Sequence, residues 1–518
     1  MNDTLRELVK QAIEEGISDQ KSLQRLKHKF CAKYEISAPS SMELIKTYHE
    51  MIDNDEIGPN PDFLKLVRKR GVRSLSGIAS VTAITKEYSC PGNCIYCPNE
   101  EGMPKSYLSN EPACMRAILN DFDAYKQVRN RIRGLERTGH PTDKIEVIVS
   151  GGSFTAYPSR YQTSFTLGIY NALNYPHKKV RSLKEAQKIN EKAKHRCVGL
   201  SFETRPDEIN EKVLKHLREY GCTKIELGVQ TLFDEIYRLN NRGHDVDAVR
   251  RAFRLCKDAG FKINAHMMPN LYGSDPKRDY EMFELLFNDS DFRPDWLKIY
   301  PCLVLEGTAL EKLWKQGKFE PYTDEQLIKL LEKIKAIVPK YVRITRLYRD
   351  IPAESILAGS KISNLRQMLN VKCNCIRCRE VRGAEVNLKN LKLNIYNYKA
   401  SQGEEFFLTF DDVKNDKLCA LLRLRFPFDY FIKELKDAAI IRELHTYGLQ
   451  IPISEKSSSA QHLGLGKKLV KKAEEIAQKA GYKKIAVISG VGVRSYYRKL
   501  GYKLEGTYMV KNVYGGGG

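Results

Sequence analysis

At 518 residues, with 42% hydrophobic and 29% charged residues, the chain is too long for one hydrophobic core and suits about three domains. Its formal net charge of +22 favours a polyanionic partner, and nucleic acid is the commonest one in a cytosol. No apolar run is long enough to span a bilayer, and Met1-Asn-Asp-Thr-Leu-Arg-Glu is no signal peptide; a cytoplasmic place of work is expected, with the 13 cysteines as metal ligands and reduced thiols in place of disulfides.

Residues 1–74 read as a helical, basic segment. Leu5, Leu8, Val9, Ala12 and Ile13 form one helical stripe, and Leu23, Leu26, Phe30 and Tyr34 form a second. Ser40 and Glu43 have the spacing of a helix cap. The segment suits nucleic acid or, equally on pattern, a solvated cap on the main domain. Arg68, Lys69, Arg70 and Arg73 then make a compact basic run, and Lys126, Arg129, Arg131, Arg133 and Arg137 make another; both suit phosphates.

Residues 75–342 alternate β-rich runs (78–85, 145–150, 197–202, 224–229, 262–267 and 296–300) with helical stretches such as 206–220 and 245–259. Six βα units predict an α/β fold, a partial parallel (βα)6 barrel whose chemistry lies at the C-terminal strand ends. There the first run feeds Cys90-Pro-Gly-Asn-Cys94-Ile-Tyr-Cys97. Three thiolates on a four-iron cluster leave one iron open to the amino and carboxylate groups of S-adenosylmethionine. The alternatives are a zinc knuckle and a plain buried thiol group. Other strand ends carry Gly151-Gly152-Ser153, Glu203-Thr204-Arg205, Gln230, His266 and Lys298. The loop Lys105–Pro112 is a candidate gate for acetyl-CoA.

Residues 343–385 read as a linker holding Cys373, Cys375 and Cys378, whose spacing suits zinc, with Cys302 as the expected fourth ligand. A second iron–sulfur site is the alternative. Residues 386–518 change texture: strands, then Gln461-His462-Leu463-Gly464-Leu465-Gly466 opening an amphipathic helix. Glycines at a helix start expose amides to a pyrophosphate, and this spacing points to coenzyme A. Tyr496 or Tyr497 would protonate a departing thiolate, unless both are core aromatics. The closing glycines 515–518 are given no role.

Together, Cys90 to Cys97, Gly151-Gly-Ser-Phe, Glu203-Thr-Arg-Pro-Asp, Leu444-His-Thr-Tyr-Gly448, the Gln461 motif and Tyr496-Tyr-Arg-Lys-Leu-Gly-Tyr502 resemble the catalytic-subunit family of the Elongator complex, in its archaeal stand-alone form. Eukaryotic members differ in a longer gap between the first two cluster cysteines and in mostly lacking the full Cys373 set. The resemblance implies a radical S-adenosylmethionine barrel fused to a GNAT-fold α/β acetyltransferase domain. It implies carboxymethyl formation at carbon five of the wobble uridine from acetyl-CoA, with the anticodon stem-loop of tRNA as partner. Self-association stays open, and no obligate protein partner or membrane is implied. Cys90, Cys94 and Cys97 would hold the 4Fe-4S cluster. Gly151, Gly152, Glu203, Arg205 and Gln230 would surround S-adenosylmethionine. His445 and residues 461–466 would bind acetyl-CoA, with Lys298, Tyr496 and Tyr497 catalytic in a cleft shared by both domains. The rival function is a protein lysine acetyltransferase with a structural cluster.

Overall fold

The computed structural model describes residues 2–68, 77–382, 388–447 and 464–513. Lys69, Arg70, Arg73, Gly448, Gln461, His462, Leu463 and the closing glycines lie outside these segments.

Four helices come first: α1 (Asn2–Glu14), α2 (Gln20–Tyr34), α3 (Ser41–Asp53) and α4 (Pro61–Val67). The apolar stripes of α1 and α2 meet Leu44, Ile45 and Tyr48 of α3 in one small core. Ser40 starts α3 by accepting from the Glu43 amide, while the Glu43 carboxylate accepts from the Ser40 amide. Arg68 then donates to the Gly139 carbonyl at 2.7 Å, tying the bundle to the next domain.

That domain is a parallel sheet of β1 (Ala79–Ile84), β2 (Lys144–Ser150), β3 (Arg196–Thr204), β4 (Lys224–Gln230), β5 (Lys262–Met267), β6 (Trp296–Ile299) and, past a short β7 (Val304–Leu305), β8 (Arg343–Arg346). Its order is β1-β2-β3-β4-β5-β6-β8, a curved half-barrel with helices outside. Six strands fall on the six β-rich runs. The seventh, β8, lies inside the stretch read as linker. Its sequence, Arg-Ile-Thr-Arg, hides the strand because Arg343 and Thr345 face the interior cavity and only Ile344 reaches the core. β7 pairs with β9 (Ile356–Ala358).

The C-terminal domain is a second seven-stranded sheet, formed by β10 (Leu391–Ala400), β11 (Gly403–Asp412), β12 (Lys417–Phe426), β13 (Ala438–Thr446), β14 (Lys484–Val487), β15 (Lys503–Glu505) and β16 (Tyr508–Asn512). Only β13 and β14 run parallel, and their pairing stops at Ile441 and Val487. Beyond that point β13 continues to Thr446 paired with β12, and its end lines the cavity.

The two sheets are joined by buried charge. Asp295, just before β6, pairs with Arg442 at 2.5 Å and lies 3.6 Å from Arg423. Arg442 also reaches Glu405 at 3.0 Å, and Arg425 bridges Glu405 to Asp258. Backbone contact adds to this. A Cβ on Gly490 would overlap the Val198 carbonyl of β3, so only glycine lets the loop after β14 lie against the barrel. Gly490→Ala is therefore expected to destabilise the docked pair by roughly 1–3 kcal/mol, read as a lower unfolding midpoint of the full chain. Among the described residues no helix is long and apolar enough to cross a membrane.

Candidate active site

The cysteine loop follows β1 and is pinned from two sides. The Ile95 amide donates to the Asn240 carbonyl, and the Leu310 amide donates to the Ile95 carbonyl. Buried Arg242 places its guanidinium 3.4 Å from Cys94 Sγ and also donates to the Gly228 carbonyl. The Cys97 thiol hydrogen-bonds to Cys94, and this, with Arg242 working against burial, lowers the Cys94 pKa to about 4. One thiol is thus held as a thiolate, the form that ligates metal. Cys90, Cys94 and Cys97 all line one cavity. Among the described residues they are not drawn together as closely as Cys373, Cys375 and Cys378, whose sulfurs lie within 4.8 Å of one another. The tight trio suits a single ion.

Around that loop the strand ends converge. Glu203 accepts from Tyr107 (2.6 Å), Ser150 (2.9 Å) and the Gly151 amide (3.2 Å). Gly151 and Gly152 take φ +131° and +86°, and a Cβ on Gly151 would overlap the Thr85 hydroxyl. Arg205 is clamped by Asp207 at 2.9 Å, yet among the described residues its Nη1 has no hydrogen-bond partner; nor has Gln230 Oε1, although Gln230 holds φ +78°. A buried donor and a buried acceptor without partners are costly unless a ligand meets them. Gln230, Arg205 and the glycines therefore fit a polar cofactor. The loop Lys105–Pro112 is tied down on this side, with Tyr107 on Glu203 and Arg349 holding Ser106 and Glu111.

Lys298 is paired with Glu226 at 2.9 Å, and the same carboxylate meets His266 (2.9 Å) and Lys224 (3.3 Å). Burial would raise the Glu226 pKa, but Lys298, Lys224 and His266 drive it well below the usual carboxylate range. Lys298 is consequently a fixed cation in the cavity wall.

At the end formed by the C-terminal domain, the helix Leu465–Lys479 opens at Gly464 with φ +67° and, among the described residues, without a side-chain cap, an arrangement that suits an anion at its first amides. A Cβ on Gly466 would come 3.0 Å from the Tyr496 hydroxyl, which places that hydroxyl over the helix start. Tyr497 instead packs in the domain core, 5% exposed. Tyr496→Phe is expected to cut turnover of acetyl-CoA on the order of 100-fold, whereas Tyr497→Phe should retain most of it, measured as coenzyme A release in the complete reaction. His445 lines the same cavity, stacked on Tyr447 with ring centroids 4.2 Å apart.

One expectation needs correction. Cys302 does not join Cys373, Cys375 and Cys378; it is fully buried in a different apolar cluster with Cys94, Tyr96 and Val304, and burial pushes its thiol up to about 12. On the helix Ala124–Glu136, Arg129 stacks on Tyr175 and Lys126 pairs with Asp121, so part of that basic run is already engaged. Sequence reading also passed over Arg242, Tyr107 and Arg349. Arg242 stands in an ordinary Asn-Asn-Arg-Gly loop, and only its spatial return to Cys94 gives it meaning.

Glu203, Arg205, Gln230, Arg242, Lys298 and His445 share a single cavity of ≈ 1690 Å³ that runs from Cys90, Cys94 and Cys97 through the half-barrel to Gly464, Gly466 and Tyr496. Known proteins match in the same two halves. The Radical SAM superfamily matches residues 88–286, the Radical_SAM C-terminal domain 294–375, and the acetyltransferase (GNAT) family 382–502. The chain is 43% identical to a tRNA uridine(34) acetyltransferase of Methanocaldococcus infernus over 99% of both chains. It is 39% identical to human Elongator complex protein 3, covering 98% of this chain and 96% of that one. The solved structure of the Methanocaldococcus infernus Elp3 with an N-terminal deletion superimposes with a TM-score of 0.75 at 43% identity, covering 84% of this chain and 99% of that one.

Proposed function

Because this chain belongs to the family of the tRNA uridine(34) acetyltransferases and Elongator complex protein 3, we propose that it installs a carboxymethyl group on carbon five of the wobble uridine of tRNA, using acetyl-CoA and radical S-adenosylmethionine chemistry. The observation that carries this reading is the continuous cavity joining the three-cysteine loop to the uncapped helix start. Carbon five of uracil has no leaving group, which is why a simple acyl transfer fails there. Cys90, Cys94 and Cys97 would hold the cluster, with Gly151, Gly152, Glu203, Arg205 and Gln230 around S-adenosylmethionine. When bound, that pair supplies hydrogen-atom abstraction from an unactivated C–H bond.

The chain's own residues do the rest. Tyr107 and Ser150 fix the Glu203 carboxylate. Arg349, latched to Glu111, keeps the loop Lys105–Pro112 over the site and so keeps water out. The free amides at Gly464 and beyond hold the pyrophosphate, and the Tyr496 hydroxyl gives its proton to the departing thiolate. Cys373, Cys375 and Cys378 would hold zinc, with the fourth position filled by a group other than Cys302. The anticodon stem-loop would lie on the basic surface in the cytoplasm, with its target base out of the stack.

The test is an oxygen-free reaction of the iron-loaded chain with dithionite, S-adenosylmethionine, acetyl-CoA and tRNA, read by nucleoside mass spectrometry. Carboxymethyluridine that depends on all four reagents is the expected result. Acetylated lysine formed without S-adenosylmethionine, and no change in the tRNA, would overturn it.

A further inference from the structure

The hydroxyl of Tyr496 is carried by a helix of five residues, Arg494–Arg498, which follows Val493 and so has no polar side chain at its start. One turn of helix does not hold its own conformation in water, so what fixes Tyr496 must come from outside the turn. The seat is on the half-barrel. Gly492 lies against Arg196 and Cys197 at the start of β3, where a Cβ would stand 2.5 Å from the Arg196 Cβ. Beside it Glu191, the residue after the helix Leu183–Asn190, accepts from Arg498 at 2.6 Å and from Arg494 at 3.3 Å. The two arginines stand one helical turn apart on one face, with Tyr496 midway between them in sequence. The side chains of Glu191 and Arg494 are only 12% and 7% exposed. Burial would raise the Glu191 pKa, but Arg498 and Arg494 bring it below the ordinary carboxylate value. Fully buried Arg218, stacked on Tyr508, adds a like charge that bears on Arg494. Glu191 offsets that repulsion. Without its carboxylate the turn is pushed off the half-barrel, and Tyr496 moves with it.

The Tyr496 hydroxyl stands over Gly466 at the opening of the helix Leu465–Lys479, the seat proposed for the pyrophosphate. Resting on the function proposed above, we propose that Glu191 is a positioning residue for thioester cleavage: a carboxylate of the half-barrel aims the proton donor of the C-terminal domain. In the step it serves, water adds to the thioester carbonyl and the carbon–sulfur bond breaks. The Tyr496 proton goes to the sulfur, and coenzyme A leaves as its thiol. One proton of the water returns to the tyrosine oxygen, the other goes to solvent, and the carboxylate stays on the product. Thioester cleavage is thereby tied to a docked pair of domains.

The first readout needs neither cluster nor turnover. 3-Fluorotyrosine placed at position 496 of the full chain is followed by 19F NMR with acetyl-CoA bound, well below the unfolding midpoint. Glu191→Gln should shift and broaden its resonance, and Glu191→Asp should restore part of the change. In the complete anaerobic reaction Glu191→Gln should lower the kcat of coenzyme A release on the order of 10-fold. The KM for acetyl-CoA should stay nearly unchanged, since the helix Leu465–Lys479 is untouched, and 5′-deoxyadenosine should persist. In a Tyr496→Phe background the same substitution should cost nothing further, because its effect runs through that hydroxyl. If Glu191→Gln does not fold, Arg498→Gln, at an exposed position, carries the same comparison. An unmoved resonance overturns the proposal. So does an equal loss in both backgrounds, which would leave Glu191 as a plain tie between domains, or a loss of 5′-deoxyadenosine along with coenzyme A. A wild type that releases coenzyme A but yields no modified nucleoside would instead sink the proposed function and leave the Glu191 role standing.

Discussion

Asp295→Ala is expected to lower the stability of the full chain by about 3–5 kcal/mol, the cost of leaving a buried charge without its partner. Asp295 is fully buried, and its two oxygens face Arg442 at 2.9 and 2.5 Å. It also accepts the Ile263 amide at 2.9 Å, so its removal leaves Arg442 with Glu405 as its one carboxylate among the described residues and strands a backbone donor of the barrel. Burial alone would raise the Asp295 pKa; Arg442 first, then Lys257 and Arg423, overcome it and bring the value down to about 2. A depressed carboxylate contributes stability that is complete above its ordinary value of 3.8 and is lost as pH falls through about 2. Acid should therefore separate the two sheets in that window, and the variant should have lost this part of the pH dependence. Unfolding followed by tyrosine fluorescence and circular dichroism across pH checks both points. Coincident curves for wild type and variant would show that the domains are held by apolar contact alone.

The legible parts of this molecule are those whose physics is local. A parallel strand of this sheet writes a mostly apolar β-branched run, as in Ile145-Glu-Val-Ile-Val149, where Glu146 faces the cavity, and a helix start that must expose amides writes glycines at fixed spacing. Cys90, Cys94 and Cys97 are local too: the three thiols proposed for one cluster sit in one loop. β8 was illegible because half of its residues serve the cavity and the strand is only four residues long. Cys302 misled for the opposite reason. Its position after β6 suggested the zinc site, but the chain turns there into the apolar cluster under Cys94, and nothing local records that turn. The charged seam of Arg423, Arg425 and Arg442 looked like an ordinary alternating strand surface. Its partners Asp258, Asp295 and Glu405 are spread over two domains, and burial of whole ion pairs leaves no periodic trace.

The second large effect is at Cys94. Cys94→Ser should abolish both 5′-deoxyadenosine and carboxymethyluridine while leaving tRNA affinity unchanged, because Cys94 is buried and offers phosphate no cation. Serine is the informative replacement. Cys94 is 6% exposed and carries the Arg242 guanidinium on its sulfur, so alanine would leave a buried cation unpaired and mix loss of chemistry with loss of fold. A hydroxyl keeps a partner for Arg242 but is a poor ligand for iron, which prefers thiolate. The expected pattern is a thermal midpoint near that of the wild type, visible absorbance and iron content reduced to background, and no cleavage of S-adenosylmethionine under dithionite. Cys302→Ser supplies the contrast: that thiol is buried nearby yet raised to about 12 and hydrogen-bonded to no metal-ligating thiol, so iron content and product should persist. Equal loss in both variants would mean that the loop tolerates no polar replacement at all, and that Cys94 is a packing residue. Loss at Cys94 alone ties the chemistry to the thiolate that Arg242 holds in place.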